Sequence, residues 1–178
     1  MNRLSRRHFL TAAAVAAPLA AIPLRAPAAA GGPRALTFTH LHTGERLSLE
    51  YFRNGAYLPE AMQAVNHLLR DFRNGAVGNM DPALLDLLHG LHQATGSQAP
   101  FQIISGYRSP ATNEALHRRS AGVATRSLHL KGMAIDIRLA DVQLEHLRDA
   151  ALSLRRGGVG YYAGSNFVHI DTGRVRAW

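Results

Sequence analysis

A single acidic residue in the middle of an apolar segment constrains the fold of this chain more than any other feature. Residues 133–139 read Met-Ala-Ile-Asp-Ile-Arg-Leu, and isoleucine at alternate positions predicts a β-strand with at least one face in a core. Asp136 lies at the centre of that strand. Because an isolated charge costs several kcal/mol or more to desolvate, Asp136 must meet a hydrogen-bond donor, a cation or a metal ion.

A histidine precedes this strand on a predicted loop. Gly132 separates His129 from the strand, and a glycine there permits a sharp turn or a close backbone approach that brings the imidazole to the side of Asp136. Catalytic zinc usually takes three protein ligands and keeps a fourth position for water. The pair therefore predicts one half of a metal site.

The segment Phe167–Asp171 near the C-terminus offers a third ligand. In a strand with a period of two residues, His169 and Asp171 share one face with Phe167, and the apolar residues between them hold the other face in the core. A single histidine in a strand is more often a hydrogen-bonded structural residue than a ligand. The spacing alone leaves the role of His169 open.

The residues around His129 form a pattern that resembles the signature of a known enzyme family. The pattern is Ser-x-His-x-x-Gly-x-Ala-x-Asp, with Ser127, His129, Gly132, Ala134 and Asp136 at its fixed positions. It resembles the zinc-dependent D-alanyl-D-alanine metallopeptidases, which share their fold with the Hedgehog signalling domain and include murein endopeptidases. The resemblance covers residues 36–178 and includes further matches at 105–109, 157–171 and 173–178. It points to a branch of murein endopeptidases that are exported by the twin-arginine pathway.

This resemblance implies a zinc site and a function. His129, Asp136 and His169 match the zinc ligands of the family, so Zn²⁺ is the implied cofactor. Arg108 matches an arginine that binds substrate or stabilises the transition state, and Ser127 matches the family's serine and is predicted to bind substrate. The implied reaction is hydrolysis of peptide cross-links in peptidoglycan by a metal-activated water, with stem peptides as the binding partner.

Arg108 is also a candidate on its own sequence context. Residues 101–105 predict a short strand that delivers Tyr107 and Arg108 at its end, and loops at strand ends commonly carry binding residues. The planar guanidinium suits a carboxylate or a developing oxyanion, a geometry that lysine cannot copy. Tyr107 and Arg108 are therefore predicted to contact substrate, with an ordinary structural salt bridge as the alternative for Arg108.

The sequence departs from part of the family at the general base. Some members place a glutamate three residues before the last histidine ligand or a histidine two residues before it, and these positions hold Asn166 and Phe167 here. Neither side chain can take a proton from water. Asp171, two residues beyond that ligand, is the nearest carboxylate and is predicted to be the base. The alternative is that Asp171 orients the ligand's imidazole or pairs with Arg174 or Arg176.

Residues 1–30 have the form of a twin-arginine signal peptide. Arg6 and Arg7 precede an apolar segment, and alanines close to residue 30 offer cleavage sites. The apolar segment is shorter than the roughly 20 residues of a membrane-spanning helix and is interrupted by prolines, so retention as an anchor is the less favoured alternative. The predicted location is the periplasm. The chain has no cysteine, which excludes disulfides, a thiolate nucleophile and cysteine ligands to zinc.

Residues 31–178 are predicted to form one α+β domain, the zinc metallopeptidase domain, with a mainly antiparallel sheet and helices packed largely on one side. A hairpin at 35–52, single strands at 101–105 and 133–139, and a second hairpin at 159–172 form the sheet. The predicted helices cover 58–73, 81–95, 110–119 and 142–155. Asp81 and Asp141 are predicted to cap the second and the fourth helix. His40 and His42 are predicted to be a solvent-facing pair.

The net charge of +8 overstates the charge of the mature domain. Four arginines lie within residues 1–30, which leaves 16 basic against 12 acidic side chains in the rest of the chain. The basic residues are scattered and no nucleic-acid-binding motif is present, so a nucleic-acid partner is not expected. Two other functions stay open: a D,D-carboxypeptidase that trims stem peptides, and a non-catalytic wall-binding domain in which zinc is structural. The sequence predicts no oligomeric state.

Overall fold

One mixed sheet of eight strands forms the centre of the computed structural model, which describes residues 32–120 and 122–178. The strands are β1 (Arg34–His40), β2 (Arg46–Arg53), β3 (Ala56–Tyr57), β4 (Phe101–Ser105), β5 (Ala134–Arg138), β6 (Gly158–Tyr162), β7 (Phe167–Asp171) and β8 (Arg176–Ala177). Their order across the sheet is β3-β2-β1-β4-β5-β7-β6-β8. Neighbouring strands are antiparallel except for β1 with β4 and β6 with β8, so the predicted mainly antiparallel sheet is confirmed.

Four α-helices accompany the sheet within these residues: α1 (Pro59–Leu68), α2 (Pro82–Thr95), α3 (Pro110–Arg119) and α4 (Leu144–Leu154). Helix α1 packs against β2, α2 packs against β1 and α4, and α4 also packs against β6 and β7. The buried leucines of α2 share one core with strand residues such as Phe38, Phe101 and Ile103. Because each such side chain contributes roughly 1.5–3 kcal/mol on burial, this core holds the sheet in place.

The two strands that carry predicted ligands have one face in this core. Ile135 and Ile137 of β5 are fully buried among apolar residues, and Asp136 alternates with them. On β7, Val168 and Ile170 belong to the same core, and His169 alternates with them in the same way. The predicted alternation is confirmed, and it leaves a polar face of the sheet for the site.

The helix starts test two predicted caps. The Asp81 carboxylate accepts a hydrogen bond from the Ala83 backbone N–H at 3.0 Å, so the cap of α2 is confirmed. The cap predicted for the fourth helix is wrong, because α4 begins at Leu144 and Asp141 accepts hydrogen bonds from the Ser97 hydroxyl at 2.8 and 3.0 Å. The Asp141 carboxylate, which the local spacing predicted to cap α4, instead binds the Ser97 hydroxyl, which is distant in sequence.

Helix α1 ends at Leu68, five residues before its predicted end. Beyond it, the Leu69 carbonyl accepts the Tyr107 backbone N–H at 2.7 Å. Phe72, which the helical pattern placed on the buried stripe, instead stacks on His42 with 4.2 Å between ring centres. Residues 69–73 contact other elements instead of continuing the helix. The periodicity of the sequence carries no information about such contacts.

His40 and His42 do not form the predicted solvent-facing pair. His40 is fully buried, and only His42 is exposed. The His40 Nδ1 accepts the backbone N–H groups of His42 at 3.2 Å and Thr43 at 3.4 Å, which closes the turn after β1. Burial lowers the pKa of His40, and the neighbouring His42 lowers it further. The buried ring is therefore a neutral part of the turn.

None of the helices within 32–120 and 122–178 has the length and apolar character that a bilayer span requires. The predicted signal peptide, residues 1–30, lies outside the described residues.

Candidate metal centre and substrate cleft

The three predicted ligands converge on the polar face of the sheet. Asp136 on β5 and His169 on β7 are directly paired in the antiparallel register. His129 lies in a 3-10 helix, Leu128–Lys131, just before β5. All three side chains are buried. Strand pairing therefore joins two residues distant in sequence, and the short helix brings the third to the same place.

The donor atoms have the spacing of a tetrahedral metal site. The His129 Nε2 lies 3.2 Å from His169 Nδ1 and 3.3 Å from Asp136 Oδ1. The His169 Nδ1 lies 2.8 Å from the same oxygen. Zinc bonds of about 2.0–2.1 Å in a tetrahedron separate neighbouring ligand atoms by about 3.3 Å. The three atoms therefore fit around one ion.

Hydrogen bonds on the outer nitrogens fix both imidazole rings. The His129 Nδ1–H donates to the Gly106 carbonyl at 2.7 Å, and the His169 Nε2–H donates to Asp171 Oδ2 at 3.1 Å. Because a carbonyl and an ionised carboxylate only accept, each outer nitrogen carries the proton. The inner nitrogens keep their lone pairs for a metal, as in other histidine ligands with a hydrogen-bonded outer nitrogen.

Gly132 forms the turn that joins the short helix of His129 to β5. Its φ of +66° is left-handed, and its N–H closes the helix on the His129 carbonyl at 3.3 Å. A Cβ at this position would lie 2.0 Å from the Asn79 carbonyl oxygen. The predicted sharp turn and the predicted close approach are both present, so a residue with a side chain is disfavoured here on two grounds.

Asp136 is ionised although it is buried. Burial opposes ionisation, but the adjacent His129 and His169 outweigh it and hold the pKa of Asp136 well below its usual range. The Arg108 Nη2 lies 3.9 Å from Asp136 Oδ2. A buried carboxylate between two imidazoles is the environment in which a divalent cation is stabilised.

A cleft of about 360 Å³ opens over the three ligands. Its other lining residues include Arg108, Arg126, Ser127, Tyr162, Phe167, Arg176 and Trp178. Asp136 is the one acid among the described residues that line it. Arg176 is paired with Asp171, so Arg108 and Arg126 face Asp136 as the remaining charges, and the cleft favours an anionic ligand.

Arg108 is held in the cleft by residues that the sequence analysis did not assign. Asp71 is fully buried and accepts the Ser109 N–H at 2.9 Å and the Ser109 hydroxyl at 2.7 Å, which fixes the loop after β4. The Asn113 side chain accepts Arg108 Nη1 at 3.4 Å and donates to the Ala124 carbonyl at 3.2 Å. The Asp71 contacts join segments 38 residues apart, so no local motif signals them, whereas Arg108 and Asn113 are only five residues apart.

Ser127 and Tyr107 differ in their relation to the cleft. Ser127 lines it, and the Ser127 Oγ accepts the His129 N–H at 3.4 Å, which caps the 3-10 helix. Tyr107 is not among the residues that line it. The Tyr107 ring packs over Gly78, where a Cβ would come within 2.3 Å of the ring, and against the core. This position argues against the predicted contact of Tyr107 with substrate, since the loop directs Arg108 and not Tyr107 into the cleft.

Asp171 is enclosed by donors and is not among the residues that line the cleft. Its Oδ1 accepts the backbone N–H groups of Gly158 at 3.1 Å and Gly173 at 2.8 Å. Arg176 donates to both oxygens, at 3.0 and 2.6 Å. Burial opposes ionisation of Asp171, but the donors, His169 and Arg176 foremost, hold its pKa well below the usual range. With its lone pairs engaged, Asp171 does not have the environment expected of the predicted base, and its contacts fit the alternative role of orienting His169.

Comparison with known proteins agrees with the motif. A family model described as peptidoglycan L,D-endopeptidase MepK matches residues 28–178. The chain is 46% identical over 176 residues to the peptidoglycan L,D-endopeptidase MepK of Escherichia coli (strain K12), covering 98% of this chain and 97% of that protein. It is 41% identical over 177 residues to the probable peptidoglycan L,D-endopeptidase MepK of Haemophilus influenzae, covering 98% and 95%. The chain therefore belongs to the MepK family, within the D-Ala-D-Ala metallopeptidases that its signature resembles.

Proposed function

We propose that this chain is a zinc-dependent endopeptidase that cleaves cross-linked peptidoglycan stem peptides at an amide bond between an L and a D centre. The observation that carries the proposal is the convergence of the donor atoms of His129, Asp136 and His169 in a cleft that also holds Arg108. The names of the relatives, peptidoglycan L,D-endopeptidases, supply the substrate class and the stereochemistry. Of two common cross-links, the diaminopimelyl-to-diaminopimelyl amide joins an L to a D centre, whereas the D-alanyl-to-diaminopimelyl amide joins two D centres.

Zinc fits this set of donors. Two neutral imidazoles and one carboxylate are a usual set for catalytic zinc, whereas magnesium and calcium prefer oxygen ligands alone. When bound, zinc lowers the pKa of water towards neutrality and polarises a peptide carbonyl. The residues of the chain keep the site in shape, because Gly106 and Asp171 fix the two rings and the β5–β7 pairing fixes Asp136 beside His169.

Arg108 is assigned the role of binding a carboxylate of the substrate. Its side chain is only 11% exposed, and its Nε has no hydrogen-bond partner among the described residues. Burial lowers the pKa of Arg108, which Asp136 and Asp71 oppose. An incompletely bonded buried cation is costly, so an anionic group in the cleft would complete its hydrogen bonds. Diaminopimelyl cross-links carry free carboxylates of this kind.

Asp171 is assigned the role of orienting His169, with Arg176 holding Asp171 in turn. The chain of contacts runs from Arg176 Nη2 to Asp171 Oδ2 at 2.6 Å and from Asp171 Oδ2 to His169 Nε2 at 3.1 Å. A carboxylate at the outer nitrogen of a histidine ligand fixes its tautomer and increases its affinity for the metal. A base would have to face the cleft, and Asp171 does not line it.

Replacing Asp171 with asparagine separates these two roles. Loss of an orienting carboxylate is expected to weaken zinc binding by about 10- to 100-fold. With zinc in excess, the variant is expected to keep kcat within about tenfold of the wild type, whereas loss of a general base costs about 10²- to 10⁴-fold. The measurement is kcat at a series of free zinc concentrations fixed by a metal buffer.

Asp86→Asn provides the matched control. Asp86 also lies in a network, accepting hydrogen bonds from Arg34, Tyr51 and Tyr57, but it does not line the cleft. Its replacement is expected to leave zinc affinity unchanged. A kcat for Asp171→Asn that stays below one hundredth of the wild type in saturating zinc would return the role of base to Asp171.

Digestion of defined muropeptide dimers tests the function itself. Purified protein with zinc is expected to split a diaminopimelyl-to-diaminopimelyl dimer into two monomers, detected by mass spectrometry, and to leave a D-alanyl-to-diaminopimelyl dimer intact. Release of free D-alanine from monomers would favour the carboxypeptidase alternative. Binding to sacculi without cleavage of either dimer would favour the non-catalytic alternative.

The proposed location is outside the cytoplasm, where peptidoglycan lies, and the relatives' names agree with it. Export by the twin-arginine pathway and periplasmic release rest on the sequence of residues 1–30. Fusion of these residues to a reporter, with Arg6 and Arg7 replaced by lysine as the control, tests that route.

A further inference from the structure

An aromatic wall, made of Tyr162, Phe167 and Trp178, lines the cleft on the side of β6 and β8. Tyr162 and Phe167 are cross-strand partners, and their rings stack with 4.6 Å between centres. The Trp178 ring lies 5.3 Å from the ring of His169. The order β4-β5-β7-β6 places the strands of Asp136 and His169 between the strand that leads to Arg108 and the strand of Tyr162.

Trp178 is held in position although half of its surface is exposed. Its backbone pairs with β6 through Tyr161 N–H to Trp178 carbonyl at 3.0 Å and Trp178 N–H to Val159 carbonyl at 3.2 Å. Its ring lies over Gly160, where a Cβ would come within 2.7 Å of the indole. A large aromatic ring that is fixed in place and open to a cleft resembles a binding surface more than a core residue.

One hydrogen bond within the aromatic wall determines which way the Tyr162 hydroxyl points. The Trp178 Nε1 lies 2.8 Å from the Tyr162 Oη. Because the indole nitrogen only donates, the Tyr162 oxygen must accept this bond. The Tyr162 hydroxyl hydrogen is therefore directed elsewhere, and none of the hydrogen bonds within 32–120 and 122–178 uses it. Trp178 thus orients a free donor at the cleft.

We propose that Trp178 and Tyr162 form a substrate-positioning pair, in which the indole contacts the bound stem peptide and directs the Tyr162 hydroxyl to donate to one of its oxygens. The inference rests on the proposed function, which supplies the peptide. Tyr162 and Arg108 both line the cleft. The guanidinium and the hydroxyl together provide donors for two different acceptor groups of one cross-linked peptide.

Three variants test the pair by kinetics. Tyr162→Phe keeps the ring and removes the donor, and it is expected to lower kcat/KM for the cross-linked dimer by roughly 5- to 30-fold with unchanged zinc content. Trp178→Phe keeps a ring over Gly160 and removes the orienting N–H, with an expected loss of about 3- to 10-fold. In the double variant the two effects are expected to be less than additive, because the indole acts through the hydroxyl.

The fluorescence of Trp178 provides a readout that does not depend on cleavage. Trp178 is the single tryptophan of the chain, so the emission of the zinc-loaded protein reports on this wall alone. Rapid mixing with the cross-linked dimer is expected to change the emission before turnover. Three results would overturn the inference. They are a wild-type kcat/KM for Tyr162→Phe, fully additive effects on kcat/KM in the double variant, and an emission that does not change on mixing. If the wild type cleaves no dimer, the proposed function fails, and the emission change alone then decides whether the wall contacts the peptide.

Discussion

Replacing His169 with alanine is expected to remove zinc from the protein and to lower cleavage of cross-linked muropeptides by about 1,000-fold or more. His169 provides one of three converging donor atoms, 3.2 Å from His129 Nε2 and 2.8 Å from Asp136 Oδ1. Without it, two ligands remain, and the Asp136 carboxylate loses a partner. The measurements are bound zinc by atomic absorption and initial rates on the dimer.

His146→Ala is the matched control for this variant. His146 is an exposed histidine of α4 that does not line the cleft, and its removal is expected to change neither zinc content nor rate. Circular dichroism checks that His169→Ala is folded, since Asp171 loses a hydrogen-bond partner. A folded His169→Ala protein with one zinc per chain and wild-type activity would refute the proposed metal centre.

Replacing Gly132 with alanine is expected to destabilise the fold by about 2–5 kcal/mol. A left-handed residue with a Cβ costs about 1–2 kcal/mol, and a forced overlap in a packed site costs about 1–3 kcal/mol in addition. The overlap here is with backbone, because the new Cβ would lie 2.0 Å from the Asn79 carbonyl oxygen. The measurement is the free energy of unfolding in urea.

Gly96→Ala isolates the backbone part of this effect. Gly96 follows α2 with a similar φ of +70°, but nothing lies within 4 Å of its added Cβ. Its replacement is expected to cost only about 1–2 kcal/mol. Equal losses in the two variants would show that the contact with Asn79 relaxes without cost. Because the turn carries His129, Gly132→Ala is also expected to weaken zinc binding, whereas Gly96→Ala is not.

The local patterns predicted the strands and one helix cap well, and the failures share a cause. The alternation around Asp136 and His169 is present as predicted, because side-chain direction in a strand depends only on position along the chain. Asp141 was predicted to cap α4 but binds the Ser97 hydroxyl, and His40 is buried in a turn. In both cases a partner from elsewhere in the fold determined the outcome.

The sequence alone identified residues that are chemically able to bind a metal. Asp136 lies between two isoleucines and His129 lies close to Gly132, and few other residues of the chain have such a context. The sequence could not determine whether Asp171 is a base or an orienting group, because both roles need the same residue near His169. The donors around Asp171, several of them from the segments at Gly158 and Arg176, favour the proposed orienting role. Trp178 beside His169 is a tertiary contact of the same kind, because only the pairing of β8 with β6 places it over Gly160.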